Sequence, residues 1–333
     1  MTYHKNLQLI LLLTFLLITL SVLALAIGDS SFSLKAIGHL IFGKADSTTV
    51  FILTKIRLPR LLAALFGGAS LALSGNILQT LTKNPLADSG ILGINAGAGI
   101  VIAIFTAFGF LETPASLYSL PFFAMIGSGL SVALVYRMSH IKNRPLNPVT
   151  LIITGVGLSM MLSSLMIALV GNVNRYKTDY IVTWLSGNIT GDDWPTLKVI
   201  MPLLIILWLS SYWQAYQLNL MNLSDDMSVT LGFQLKKERL SSLILSSSLA
   251  ALSVVLVGNI AFVGLMAGHL SRRLAGQDHR FNLPTSLLLG MLLMLVADTI
   301  TRVFLVGSNI PTGILVSIIG APYFLYLMMQ TRN

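Results

Sequence analysis

Nine runs of 17 or more residues contain no Asp, Glu, Lys or Arg: 6–28, 61–82, 89–111, 113–136, 145–174, 199–224, 240–271, 281–297 and 303–331. Roughly 20 apolar residues span a bilayer core, so most of these runs predict membrane helices. Only 10% of the chain is charged against about 25% in ordinary soluble domains, which argues against a water-soluble enzyme. The run 240–271 is too long for one crossing and too short for two. Gly258-Asn259 is its natural break, since both residues tolerate turn geometry, and a short or irregular second element is expected after it. The predicted fold is all-α, a single polytopic membrane domain over 1–333. It has about ten elements near 7–27, 61–82, 90–109, 118–138, 148–171, 198–216, 240–257, 260–275, 283–301 and 313–330.

The first apolar run exceeds the roughly 7–15 residues of a secretory signal's core, so it is expected to stay as a helix. An even number of crossings puts both termini on one side. If that side is the cytoplasm, inside segments hold 12 of the 21 Lys and Arg and outside segments hold 9. This bias has the sign that the positive-inside rule requires, and five of the outside charges lie in the first loop. The net charge of +9 comes from residues at helix ends rather than from a basic stripe interleaved with aromatics, so no nucleic-acid partner is expected.

Several chemistries are absent. There is no cysteine, which removes disulfides and thiol catalysis. No G-x-x-x-x-G-K-[ST] cradle occurs, so ATP hydrolysis, if used, belongs to another subunit. The five histidines lack metal-ligand spacing; no catalytic, cofactor or metal site is expected. Gly127-Ser128-Gly129, Gly155-Val156-Gly157, Gly93 and Gly97 are read as close helix contacts. Asp298 and Arg302 stand four apart on one helical face, where they can neutralise one another.

Three segments stand out. Arg57-Leu58-Pro59-Arg60 precedes a stretch of small residues from Gly67 to Gly75, which permits close backbone approach. Lys83-Asn84-Pro85-Leu86-Ala87-Asp88 is broken by a proline, and irregular backbone beside a bilayer persists mainly where protein or water receives it. Gly268-His269 leads to Asp278-His279-Arg280, then to Ala297-Asp298, Arg302 and Gly320-Ala321-Pro322-Tyr323-Phe324.

In these motifs, taken in order along essentially the whole chain, the sequence resembles the FecCD family. These are permease subunits of bacterial ATP-driven importers for iron-siderophores, haem and vitamin B12. One departure is Gly268, where the family commonly has Pro, and it implies a more flexible backbone there. The resemblance implies a ten-helix permease of the vitamin B12 importer type, with an inverted repeat between helices two to five and seven to ten. Gly75-Asn76-Ile77 against Gly258-Asn259-Ile260 is a faint echo of that repeat. It further implies a bacterial cell-membrane location with both termini cytoplasmic. The expected partners are a second permease, two ATPase subunits and an extracytoplasmic substrate-binding protein.

Site residues follow from the same resemblance. Arg57, Arg60 and Arg302 are expected to dock acidic residues of the binding protein. Asn84 and Leu86 are expected to narrow the inner end of the path. Residues 223–239, with Asp225, Asp226 and Gly232, match the ATPase-contacting loop. Ferric siderophore is the leading cargo, with vitamin B12 or haem as alternatives; a secondary transporter and a membrane enzyme are the competing classes.

Overall fold

A computed structural model describes residues 2–27, 38–39, 42–90, 93–108, 114–139, 148–170, 175–189, 192–304 and 310–330. Helix α1 (Thr2–Ala26) is followed by a short α2 (Ser47–Phe51), a π-helical segment (Ile52–Arg57) and α3 (Leu58–Thr82). Then come α4 (Ile94–Ala107), α5 (Pro114–Ser139), α6 (Pro148–Val170), α7 (Arg175–Leu185) and α8 (Trp194–Trp213). Short α9 (Ala215–Met221) and α10 (Asp225–Thr230) lead into α11 (Leu235–Val257), α12 (Val263–Ala275), α13 (His279–Phe304) and α14 (Thr312–Gln330).

The ten elements expected from the sequence correspond to α1, α3, α4, α5, α6, α8, α11, α12, α13 and α14. Eight of them are long and apolar enough to cross a bilayer, whereas α4 and α12 are about half as long. The break after α11 falls at Gly258, as anticipated. Helix α3 begins earlier than the charge pattern suggested, because Pro59 fits a first turn, where its missing N–H costs no hydrogen bond. The short helices α2, α7, α9 and α10 lie in segments read only as connections.

Helix α3 is the centre of the fold. It packs against α8, α11, α12 and α13 and is buried along most of its length, while α1 lies on the outside against α13. Its small residues make this possible. A Cβ on Gly68 would run into the Gly290 carbonyl of α13, and one on Gly75 would sit 2.5 Å from the Gly264 backbone of α12. Gly97 and Gly127 meet in the same way between α4 and α5. Gly129 and Gly157, also expected at close contacts, face open space instead.

Buried hydroxyls and amides tie α3 to its neighbours. Ser74 donates to the Ser246 carbonyl (2.8 Å), Ser253 to that of Gly67 (2.7 Å), Ser286 to that of Ala72 (3.2 Å), and the Trp208 indole to Ser70 Oγ (2.9 Å). Such bonds matter because an unpaired polar group has no water to turn to at this depth. Large apolar side chains instead cover the outer faces, among them Leu12 and Phe15 on α1, Ile153 and Met160 on α6, and Ile318 on α14.

The two halves echo one another. In each, a long helix (α3, α11) breaks into a half-length helix (α4, α12) followed by two long ones. Both half-helices start from a left-handed residue, Gly93 at φ +75° and Phe262 at φ +70°. Asn76 lies inside α3 whereas Asn259 lies in the break after α11, so the sequence echo between them does not mark equivalent positions. The N-terminus of α1 and the C-terminus of α14 lie at the same end: Tyr3 meets Phe281 at the start of α13, and α14 runs back from Thr312 near Thr301. We call the end with the N-terminus of α1 and the C-terminus of α14 end A, and the opposite one end B.

Candidate functional site

At end A, α3 stops in a Schellman turn: the N–H of Lys83 donates to the Thr80 carbonyl and that of Asn84 to the Gln79 carbonyl, both at 3.2 Å. Lys83 itself takes φ +49°, a left-handed conformation that costs a non-glycine residue on the order of 1 kcal/mol. Asn84 then folds the next residues around its own side chain. Its Oδ1 accepts the Leu86 N–H (2.9 Å), and its carbonyl accepts the Ala87 N–H (3.1 Å). An Asn before Pro favours such a turn because its amide imitates a backbone group. Asn84 and Leu86 are half-buried, and Ala87, Asp88 and Ser89 are buried.

Asp88 reaches across the molecule. Its carboxylate lies against the start of α12, where a Cβ on Gly264 would come 2.6 Å from Oδ1, and the nearby backbone N–H groups of Phe262 and Leu265, with those of Ser89 and Gly90, favour its charged form. It therefore faces the N-terminus of a half-helix from the opposite half of the chain, where the N–H groups have no intrahelical partners and favour an anion. Asn95 of α4 bonds Asn259 (3.2 Å), so the breaks of both halves are joined.

The loop before α11 meets this turn. Lys83 Nζ lies 2.8 Å from Asp225 Oδ1 and donates to the Leu223 carbonyl at 2.8 Å. Arg239 grips the same carboxylate with two bonds, at 2.8 and 3.0 Å. Burial pulls the Asp225 carboxyl upward, but the hydrogen bonds and charges of Lys83 and Arg239 outweigh it and leave the group below its ordinary value. The carboxylate is ionised at neutral pH. Asp226, beside it in the first turn of α10, is exposed, and Gly232 takes φ +78° in open space.

The same loop region holds the start of α13. Asn219 of α9 donates to Asp278 Oδ1 (2.8 Å), so its Oδ1 must accept, from the His279 N–H (2.9 Å) and from His279 Nδ1 (2.8 Å). That fixes the ring proton on Nδ1 and leaves Nε2 to accept from the Thr80 hydroxyl of α3 (2.8 Å). Arg272 donates in turn to Thr80 Oγ1 (3.1 Å) and to the Asn76 carbonyl (2.9 Å). Gly268 sits within regular α12, where a Cβ would come 2.7 Å from Gln79 Oε1. The looser backbone expected at Gly268 is therefore replaced by close packing against α3.

At end B, Arg57, Arg60, Asp298 and Arg302 surround a cavity of about 40 Å³. Arg60 pairs with Asp298 at 2.9 Å and stands 3.7 Å from Asp192. Asp298 thus pairs with Arg60 of the neighbouring helix α3, whereas spacing along its own helix pointed to Arg302. Arg57 is buried and donates to the Leu25 carbonyl (2.7 Å); Arg302 donates to those of Ala24 (2.6 Å) and Ile27 (3.0 Å). These two arginines finish the last turn of α1, whose terminal carbonyls favour cations.

The three groups of residues expected from the sequence are thus brought to two places. Asn84, Leu86, Asp225, Asp226 and Gly232 share end A, and the three arginines share end B. Lys83, Asp88, Arg239 and His279 lie in segments that stood out in the sequence but were given no role of their own, and they carry the geometry of end A together with Asn219, which was not singled out. Lys83 directly before the broken segment was the available signal. Asp88 gave no hint of its distant partner.

The profile of the FecCD transport family matches residues 16–330. The chain belongs to that family. It is similar to the iron(3+)-hydroxamate import system permease protein FhuG of Bacillus subtilis, 36% identical over 296 residues, covering 87% of both chains. It is also similar to the Fe(3+) dicitrate transport system permease protein FecC of Escherichia coli, 37% identical, covering 84% of this chain and 83% of that one. The hemin transport system permease protein HmuU of Yersinia pestis is 34% identical, covering 97% and 96%. A solved structure described as an inward-facing conformation of a metal-chelate type ABC transporter superposes with a TM-score of 0.82 at 31% identity, covering 97% of this chain and 99% of that one. Within this family the chain is an all-α, multi-pass membrane permease.

Proposed function

We propose that the chain is the membrane subunit of an ATP-driven importer that moves a ferric siderophore complex into the cytoplasm. It works as one of two permeases, identical or paralogous, with two ATPase subunits at end A and a substrate-binding protein at end B. The observation that carries this reading is the union at end A of the N-P-L-A-D turn with the loop of α9 and α10: a broken membrane segment is bonded to an exposed loop that another subunit can reach. Asn84 and Leu86 are the inner gate of the path. Asp225, Asp226 and Gly232 belong to the ATPase-coupling surface.

End A is the cytoplasmic end, in keeping with Lys83, Arg137, Lys236, Lys237, Arg239, Arg272, Arg273 and Arg280 gathered there. At end B the three arginines form the docking face. Arg60, whose side chain is 26% exposed, holds Asp298 through Nε and Nη2 and turns Nη1 outward past Asp192, where a carboxylate of the binding protein can reach it. Arg57 and Arg302 support that face by holding α1 beside it.

The siderophore assignment draws on relatives named for iron-hydroxamate and iron-citrate import, and the hemin relative makes haem the second cargo. Uptake of labelled ferric siderophore, haem and cobalamin, compared in a strain lacking this chain and in the same strain with it restored, tests the reading. Restored siderophore uptake that stops when the separate ATPase is inactivated is the expected result. Uptake that persists without that ATPase means a secondary transporter, and restoration of haem or cobalamin alone replaces the cargo.

A further inference from the structure

We propose that the Lys83–Asp225 ion pair is the link through which the α9–α10 loop drives the gate turn, which makes Lys83 a positioning residue for Leu86. The inference rests on the gate and coupling assignments above.

Lys83 is the last residue before the turn, and its ammonium holds two points of the loop at once, the Leu223 carbonyl and the Asp225 carboxylate, each at 2.8 Å. Arg239, in the second turn of α11, clamps the same carboxylate, so Asp225 has a fixed orientation when Lys83 meets it. A lysine suits such a link because three donors on a flexible stem keep their acceptors while the angle between the parts changes.

The other end of the gate segment is held. Asp88 is buried and packed against the start of α12, its Oδ1 beside Gly264. Helix α3 is not the moving part either, since Ser74 and Gln79 tie it to α11 and α12 through buried bonds. Burial rises along the segment, from exposed Lys83 through half-buried Asn84, Pro85 and Leu86 to buried Ala87 and Asp88. A displacement of α10 therefore enters at Lys83, stops at Asp88, and falls on the residues between them. The two bonds inside that interval, from the Leu86 and Ala87 N–H groups to Asn84, are what must stretch or re-form, and Leu86 is at their tip.

The chain has no cysteine, so a single reporter thiol is clean. In the assembled complex, with both permeases, ATPases and binding protein, the labelling rate of Leu86→Cys by N-ethylmaleimide is measured with and without ATP. We expect ATP to change that rate. With Lys83→Met added, the change should shrink about fivefold, a factor at the low end of typical coupling between sites, while ATP turnover stays within about twofold. Lys83→Arg should restore the change, and Asp225→Asn should repeat the loss. If Lys83→Met leaves the ATP-dependent change intact, or abolishes ATP turnover together with it, the pair is not the driving link: it is idle in the first case and serves assembly in the second. If ATP leaves labelling of the Leu86→Cys reporter unchanged even with Lys83 present, the gate assignment itself falls, and this link with it.

Discussion

At the residue scale, the small residues of α3 are valuable for what they let approach. Gly75 has the Gly264 backbone against it, and Gly129 has no neighbour within 4 Å of where a Cβ would stand. Gly75→Leu should therefore force α3 and α12 apart, at a cost of about 1–3 kcal/mol or more, while Gly129→Leu should be tolerated. Thermal unfolding of the detergent-purified permease checks this; equal melting temperatures for the two variants would refute the contact. Which glycines need their hydrogen was not legible in the sequence. Gly67 to Gly75 advertised a small-residue face, but Gly157 and Gly129 look the same on paper and face open space. The difference lies in whether a neighbouring helix crosses at that height, and a single helix does not specify that.

At the element scale, the boundaries that charge and glycine mark were legible, and the capping was not. The end of α11 at Val257 follows from Gly258, which takes φ +72°, a conformation that other residues adopt only with strain. The carboxyl group at the start of α12 comes from Asp88 of the opposite half, and nothing near Phe262 in the sequence announces it. Asp88→Asn puts an amide donor in place of a carboxyl oxygen among N–H donors. It should cost about 1–3 kcal/mol at that site, as a buried hydrogen bond left unmade does. Hydrogen exchange at residues 262–266 should speed up accordingly, and unchanged protection there would show that the carboxylate is not the cap. Asp298 taught the same lesson at end B. Spacing along one helix suggested Arg302 as its partner, and the neighbouring helix supplied Arg60.

At the scale of the whole molecule, the parity of the crossings puts both chain ends at end A, and the charge bias supports our placing of end A in the cytoplasm. Thr48→Cys at end B and Gln234→Cys at end A are both exposed, so an impermeant thiol reagent added outside cells should label the first and spare the second. Asn188→Cys should follow Thr48→Cys. Asn143, expected to follow Gln234, lies outside the described residues. The reverse pattern would invert the orientation and, with it, the sides assigned to the ATPases and the binding protein.

The sequence by itself determined the helical class, the ten main helices, the break in the long apolar run and, through its motifs, the family. Each of these depends on local terms: the length of apolar segments against a bilayer thickness, and the backbone limits of Pro and Gly. The tertiary structure alone decided that α3 is central, that Asp88 meets the start of α12, that Arg57 and Arg302 close α1, and that Lys83 meets Asp225. Those contacts join residues far apart in the chain, where the pairing of a charge or an N–H group depends on which helix ends fold to the same side of the membrane and at what depth.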